Sequence, residues 1–325
     1  MRICVFGAGA VGGHFATRLA AAGHDVCVVV RGDTLAAVRA NGLTLRAGGD
    51  EIRARVRASD RAAELGPQDL VICTTKSMGL AGFAAQAADL LGPETPVVFA
   101  QNGIPWWYDI GLGAARPRPP DLSVLDPGGA CRRAIAAERI VGGVIYSANE
   151  AIAPGVIANN SPQRNILRVG EADDRPSARV AGLRATLQAA GIASPDEPDI
   201  RVALWRKLIV NMTASILCLL TGHKATVVRD DPRIGPVFLR LAREALAIAA
   251  AHGIDLGDYD PAAHRQTVPD HVPSIRQDYN RGKPLELDAL LMVPVAFGQA
   301  AGLDTPCLDM LAALAQRMRL DMAPA

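Results

Sequence analysis

Arg2-Ile3-Cys4-Val5-Phe6-Gly7-Ala8-Gly9-Ala10-Val11-Gly12-Gly13 stands at the head of the chain and runs straight into His14-Phe15-Ala16-Thr17-Arg18-Leu19-Ala20. An apolar, β-prone run ends in a glycine turn, and the turn opens a helix. That is the context in which a G-x-G-x-x-G string carries meaning. The pattern assigns Gly7 to a tight turn, Gly9 to close approach of the backbone to a pyrophosphate, and Gly12 to close packing of helix on strand. Ala8, Ala10 and Val11 complete the loop, and the helix N-terminus offers its free N–H groups to the anion. With a second strand at Asp25–Val30 the stretch reads as a dinucleotide-binding βαβ unit. A glycine-rich turn in some other doubly wound protein is the plainer alternative.

Asp25-Val26-Cys27-Val28-Val29-Val30 is a continuous apolar run, as in a parallel strand buried on both faces. The residue just past such a strand meets the adenosine ribose: an acid there accepts from the 2′-hydroxyl, whereas an arginine suits a 2′-phosphate. Arg31 occupies that place, Asp33 lies farther into the turn, and a guanidinium can grip phosphate bidentately. NADP is therefore the expected cofactor, set against an ordinary exposed arginine in a βα loop. Asp69–Thr74 and Pro96–Ala100 read as further strands, with Lys76 and Gln101-Asn102-Gly103 just beyond their ends. Ligands of open α/β sheets bind outside the carboxyl ends of strands. Gly7, Arg31, Lys76 and Asn102 all fall at such ends.

Leu43–Leu45 and Ile52–Val56 read as two short strands around Gly48-Gly49. Arg139–Ser147, Gly155–Ala158 and Asn165–Val169 read as strands completing the sheet with a mixed edge. The proline-broken Ser194-Pro-Asp-Glu-Pro-Asp199 is the linker candidate, and from Ile200 onward strand signals vanish. The expectation is an α/β chain: a Rossmann-type doubly wound sheet over 1–194, then an all-helical substrate domain over 195–325 closing a cleft. Helices are expected near 201–220, 233–253, 258–267, 286–301 and 305–320.

The totals bound the function. A chain of 325 residues is long for one core, and a formal charge of +1 argues against nucleic acid or an anionic membrane as partner. The six cysteines are scattered with no metal-ligand spacing, so no metal site or disulfide frame is indicated. Cys4, Cys27 and Cys73 are read as small hydrophobes in buried strands. Met1 leads directly into the first strand and no apolar run is read as membrane-spanning, so a cytoplasmic location is expected. The apolar helices of the second half leave a homodimer open.

Lysine occurs only at 76, 207, 224 and 283. Lys207 sits in the largely apolar Val202–Leu220, where Lys207, Asn211 and Ser215 recur at helical spacing along one face. A lysine facing inward on a buried helix is costly unless partnered. Two readings fit: the stripe lines a cleft and meets a polar ligand, or Lys207 snorkels while Asn211 and Ser215 bond to neighbouring helices.

The chain resembles the ketopantoate reductase family over nearly its whole length. The matching pieces are Gly7–Gly12, Arg31, Thr75-Lys76, Gln101-Asn102-Gly103, Trp205-Arg206-Lys207 with Asn211, Ser274 with Gln277-Asp278, and Leu285-Glu286-Leu287-Asp288. The resemblance implies NADPH-dependent reduction of a 2-oxo acid, with Lys207 as general acid and Glu286 holding a substrate hydroxyl and orienting the lysine. It further implies that Asn211 and Ser274 face the substrate, that Asn102 bridges nicotinamide and active site, and that Lys76 and Arg31 touch the cofactor; Ser215 joins the substrate-facing set through its place on the polar stripe.

The chain departs from the family pattern where Ser215 replaces a frequent asparagine, where His223-Lys224-Ala225 lacks another, and where His271-Val272-Pro273 precedes Ser274. These positions shape the pocket more than the hydride chemistry. Reductase chemistry is thus better supported than the substrate; ketopantoate leads, beside a different 2-oxo acid and a catalytically silent NADP-binding sensor.

Overall fold

In the computed structural model, which describes residues 1–268 and 270–322, the chain forms two compact units. One comprises Met1–Gln101 and Asp126–Ile200, the other Asn102–Leu125 and Arg201–Ala325.

The first unit holds a seven-stranded sheet in the order β11-β8-β7-β6-β1-β2-β5. Within it β1 (Arg2–Phe6) is flanked by β2 (Asp25–Val29) and β6 (Leu70–Cys73), with β7 (Val97–Ala100) and β8 (Ile140–Tyr146) beyond β6 and the edge β5 (Arg57–Ser59) beyond β2. All of these run parallel; only β11 (Ile166–Glu171) is antiparallel, against β8. The near-continuous apolar runs and the mixed edge follow the expectation, because every residue of β6 and β7 is buried.

A second sheet was not foreseen. β3 (Leu43–Ala47) and β4 (Asp50–Ala54) form a hairpin, and β10 (Val156–Asn159) pairs parallel to β3 instead of joining the main sheet, with β9 (Asn149–Ala153) antiparallel to it. The helix Ala10–Ala21 packs on strands of both sheets, which accounts for its burial on nearly all sides. Phe15, Leu19, Ile3, Val28, Leu45 and Ile157 belong to the resulting core. Gly13 is small for this reason: a Cβ there would lie 2.4 Å from Ile157 Cδ1.

His14 on that helix is wholly buried, and its Nδ1 lies 3.3 Å from Asn159 Nδ2, which also donates to Asn165. Nδ1 must accept here, so protonating it would set two donors face to face. Burial, assisted by Arg18, holds the imidazole well below its usual value, at about 3. A base depressed in the folded state makes the unfolded chain the stronger proton acceptor below pH 6.5. Stability is therefore full above that pH and declines as pH falls toward 3, by about 2 kcal/mol between pH 6.5 and about pH 5. Chemical denaturation across this range should show the slope flattened in His14→Gln; equal slopes would acquit His14.

The second unit has no strand among its described residues. Its elements include the helices Ile200–Val210, Ile216–Thr221, Ala225–Asp230, Gly235–Ala251, Pro261–Gln266, Ser274–Asn280, Val293–Ala300 and Pro306–Asp321. Three findings correct the sequence reading. Residues 102–125 group with this unit, and the chain passes finally into it at 200/201, so one cut at 194/195 does not describe the division. The expected helix 201–220 is interrupted by a π turn, Asn211–Ser215, and the expected helix 286–301 begins with another, Asp288–Met292. The continuous helical run Ile200–Thr221 is 22 residues, long and apolar enough for a membrane span, yet 78% of its most apolar window is buried inside the protein, as in a core helix. Upstream, the candidate linker is tied to the first unit by Arg168–Glu197 and Arg184–Asp196 ion pairs and by Ser194 Oγ donating to Leu167 O.

Candidate functional site

The glycine loop has the geometry its spacing demands. Gly7 sits at φ +95°, a left-handed conformation in which side chains are strained. Its N–H donates to Val29 O at 2.9 Å, and its carbonyl accepts from Thr74 Oγ1 at 2.5 Å. A Cβ on Gly12 would fall 1.8 Å from Gly7 O, so only glycine lets this helix lie so close to the turn. A Cβ on Gly9 would meet no protein atom within 4 Å. Gly9 precedes a twelve-residue helix whose N-terminus no side chain caps, so backbone donors and open space coincide there. Ala8 is buried, whereas Ala10 and Val11 are half-buried in the first turn. These features fit a dinucleotide pyrophosphate.

Arg31 follows the end of β2 and precedes the helix Gly32–Asn41. It is exposed, and its side chain makes no ion pair or hydrogen bond to another described residue. Lys76, half-buried, lies beyond β6 and leads into the turn Ser77–Gly79. Gln101 ties the neighbouring strand end down, its Nε2 donating to Thr75 O at 2.7 Å.

The helical unit gathers the other candidates. Asn102 belongs to it, although the sequence reading put this residue in the sheet domain. Its Oδ1 is buried and accepts no hydrogen bond, a costly state for a carbonyl oxygen and one that a bound donor would relieve. Lys207, half-buried, lies in the last turn of the helix Ile200–Val210. Asn211 and Ser215 begin and end the π turn, and Ser215 Oγ donates to Asn211 Oδ1 at 3.4 Å. Within that turn Thr213 Oγ1 donates back to Ile209 O at 2.7 Å, competing for a carbonyl of the helical ladder. The turn packs on the helix Ser274–Asn280 and on the second π turn. Ser274 is the exposed first residue of that helix, and half-buried Glu286 stands just ahead of the second π turn. Two π turns in contact, each beside candidate residues, match the tendency of such distortions to mark functional sites.

Sequence reasoning missed the role of Tyr108. Its carbonyl accepts from the buried Arg201 and its hydroxyl from Trp205. The available signal was a charged residue, Arg201, at the head of a largely apolar helix. The cysteines offer no competing nucleophile: all six are buried, and burial pushes Cys73 up to about 11 and Cys131 and Cys218 up to about 12.

Comparison with known proteins adds three findings. The family model described as ketopantoate reductase PanE/ApbA matches residues 3–173, and its C-terminal counterpart matches residues 199–319. A 2-dehydropantoate 2-reductase of Mesorhizobium japonicum is 37% identical over 324 residues, covering 99% of this chain and 98% of the relative. Among solved structures, a PanE/ApbA family ketopantoate reductase from Ralstonia eutropha JMP134 is 27% identical with a TM-score of 0.82, covering 99% of each chain. A D-mandelate dehydrogenase solved with NADH and anilino(oxo)acetate shares the fold at 21% identity and a TM-score of 0.84.

Proposed function

The chain belongs to the ketopantoate reductase family, and on that premise we propose that it reduces ketopantoate (2-dehydropantoate) to pantoate with NADPH, a step toward pantothenate. The observation that carries this reading is the packing of the Asn211–Ser215 π turn, next to Lys207, against the helix that begins at Ser274 and the π turn that follows Glu286. A bound dinucleotide supplies the hydride. Lys207 holds a proton, places positive charge beside the oxygen where negative charge develops, and then donates to it. Glu286 orients the lysine and accepts from the substrate hydroxyl, while Asn211, Ser215 and Ser274 bond its other polar atoms. Asn102 would lie by the nicotinamide, where its orphaned Oδ1 could accept from a bound donor. Gly7–Gly12 would cradle the pyrophosphate, and Lys76 and Arg31 would contact the cofactor, Arg31 at its 2′-phosphate.

A second reading, reduction of a different 2-oxo acid, is favoured by one feature of the pocket residues. Ser215 bonds internally to Asn211, and Ala225, buried and apolar, offers no side-chain partner. His223 and His271 would then tune the pocket. NADPH consumption across a panel of 2-oxo acids tests both readings: ketopantoate should give the highest kcat/KM. Preference for another acid would select the second, and tight NADPH binding without turnover on any would leave a sensor.

The cofactor preference rests on Arg31. Arg31→Ala should weaken NADPH roughly 10–100-fold, as loss of a charge-assisted phosphate contact does, and leave NADH nearly unchanged. Equal weakening of both, read by fluorescence titration, would remove the 2′-phosphate contact.

A further inference from the structure

We infer that Tyr108 is a positioning residue that sets Asn102 against the helix bearing Lys207, through a clamp formed by Arg201 and Trp205. The inference rests on the roles proposed above for Lys207 and Asn102. Arg201, fully buried, donates from Nε and Nη2 to Tyr108 O at 2.9 and 2.7 Å, and from Nη2 to Ile110 O at 2.8 Å. Its guanidinium also lies over the Tyr108 ring, 5.2 Å from the centroid. Trp205, equally buried and one turn along, donates from Nε1 to the Tyr108 hydroxyl at 2.8 Å. Lys207 follows two residues later.

The segment leading to Tyr108 is fixed at its other end as well. Ile104 N donates to Ala289 O at 2.9 Å, in the π turn that follows Glu286. Gly103 (φ +85°) lies so close that a Cβ would meet the same oxygen at 2.6 Å. Residues 103–108 thus form a short strut between the Lys207 helix and the Glu286 turn, with Asn102 at its end. Tyr108 N closes a turn onto Pro105 O at 3.1 Å, which keeps the strut compact.

Apolar packing alone would bury this segment. The ring of Phe297 already meets both Tyr108 and Trp205 edge-on, at 5.3 and 5.5 Å between centroids. Such contacts tolerate sliding along a helix, whereas hydrogen bonds to fixed carbonyl and hydroxyl oxygens do not. A buried guanidinium is also an expensive way to obtain stability alone. Its bonds here fix register, and catalytic geometry is sensitive to displacements of about 1 Å.

A double-mutant cycle tests this, with Tyr108→Phe and Trp205→Phe assayed for ketopantoate reduction, rates being counted per NADPH-binding site. Each single variant should lower kcat about 10-fold with KM for both substrates within about twofold, and the double variant should be no slower than either. Arg201→Lys, which keeps the charge but loses the fork, should lower kcat in the same way. A merely structural clamp would lower the unfolding midpoint and leave kcat per site at the wild-type value; that result, or additive losses in the cycle, overturns the inference. Lys207→Ala keeps the two levels apart. If it remains active, the reading of the reaction itself fails; if it is dead while Tyr108→Phe turns over normally, only the positioning role fails.

Discussion

Lys207→Ala is expected to lower kcat for ketopantoate reduction by about 10²–10⁴-fold, the range for a positioned general acid, while the dissociation constant for NADPH stays within about threefold. The two effects separate because Lys207 lies on a helical-unit segment, whereas the proposed pyrophosphate cradle is the glycine turn of the sheet unit. Stopped-flow turnover and fluorescence titration of NADPH read the two constants independently. Loss of cofactor binding with turnover preserved at saturating NADPH would show that the ammonium serves the dinucleotide and not the keto oxygen. Replacing half-buried Lys207 by alanine, the strongest helix former, should not unfold the protein, so the comparison is clean.

The second large effect concerns two glycines three residues apart. Alanine normally stabilises a helix interior relative to glycine by up to about 1 kcal/mol. Gly12→Ala should reverse that sign, because its Cβ would sit 1.8 Å from Gly7 O and 2.4 Å from Thr74 Oγ1, and the first of these is backbone. Separating helix and turn is expected to cost about 3 kcal/mol and to weaken NADPH at least about 100-fold. Gly9→Ala should behave differently: its Cβ enters open space, so the unfolding midpoint stays put while NADPH affinity falls where a phosphate would lie. Thermal unfolding with and without NADPH distinguishes them. Unchanged affinity in Gly9→Ala would place the pyrophosphate elsewhere.

Much of the sheet unit was legible because its signals are local. The apolar runs of β1, β2, β6 and β7, the turn at Gly7 and the glycine string each follow from neighbouring residues. What escaped depends on partners far along the chain. Val156–Asn159 looks like any short apolar strand, and nothing in it says that Ile157 pairs with Leu45. The Arg57–Ser59 edge strand is polar and too short to show a period. Trp106, Trp107 and Tyr108 follow a strand of the sheet unit in sequence, yet their allegiance is set by contacts such as Arg201 with Tyr108. The π turns were hidden for another reason: one extra residue per turn leaves composition unchanged, so Asn211 and Ser215 still sit on an apolar helical pattern. For the candidate site, residue types and spacing were readable, while that they act together was only implied by the family resemblance. The orphaned oxygen of Asn102 and the clamp on Tyr108 became visible only in three dimensions.

The detour of residues 102–125 also governs how the molecule can be made. Synthesis delivers Trp106 and Trp107, both buried in the finished protein, long before the helix Ile200–Val210 that Tyr108 is bonded to. At about 5–20 residues per second, this greasy stretch waits several seconds on the ribosome for its cover. A chain ending at residue 200 would never receive it, so the nucleotide-binding half, expressed alone, should be sticky and in need of chaperones unless 102–125 is replaced by a short polar bridge.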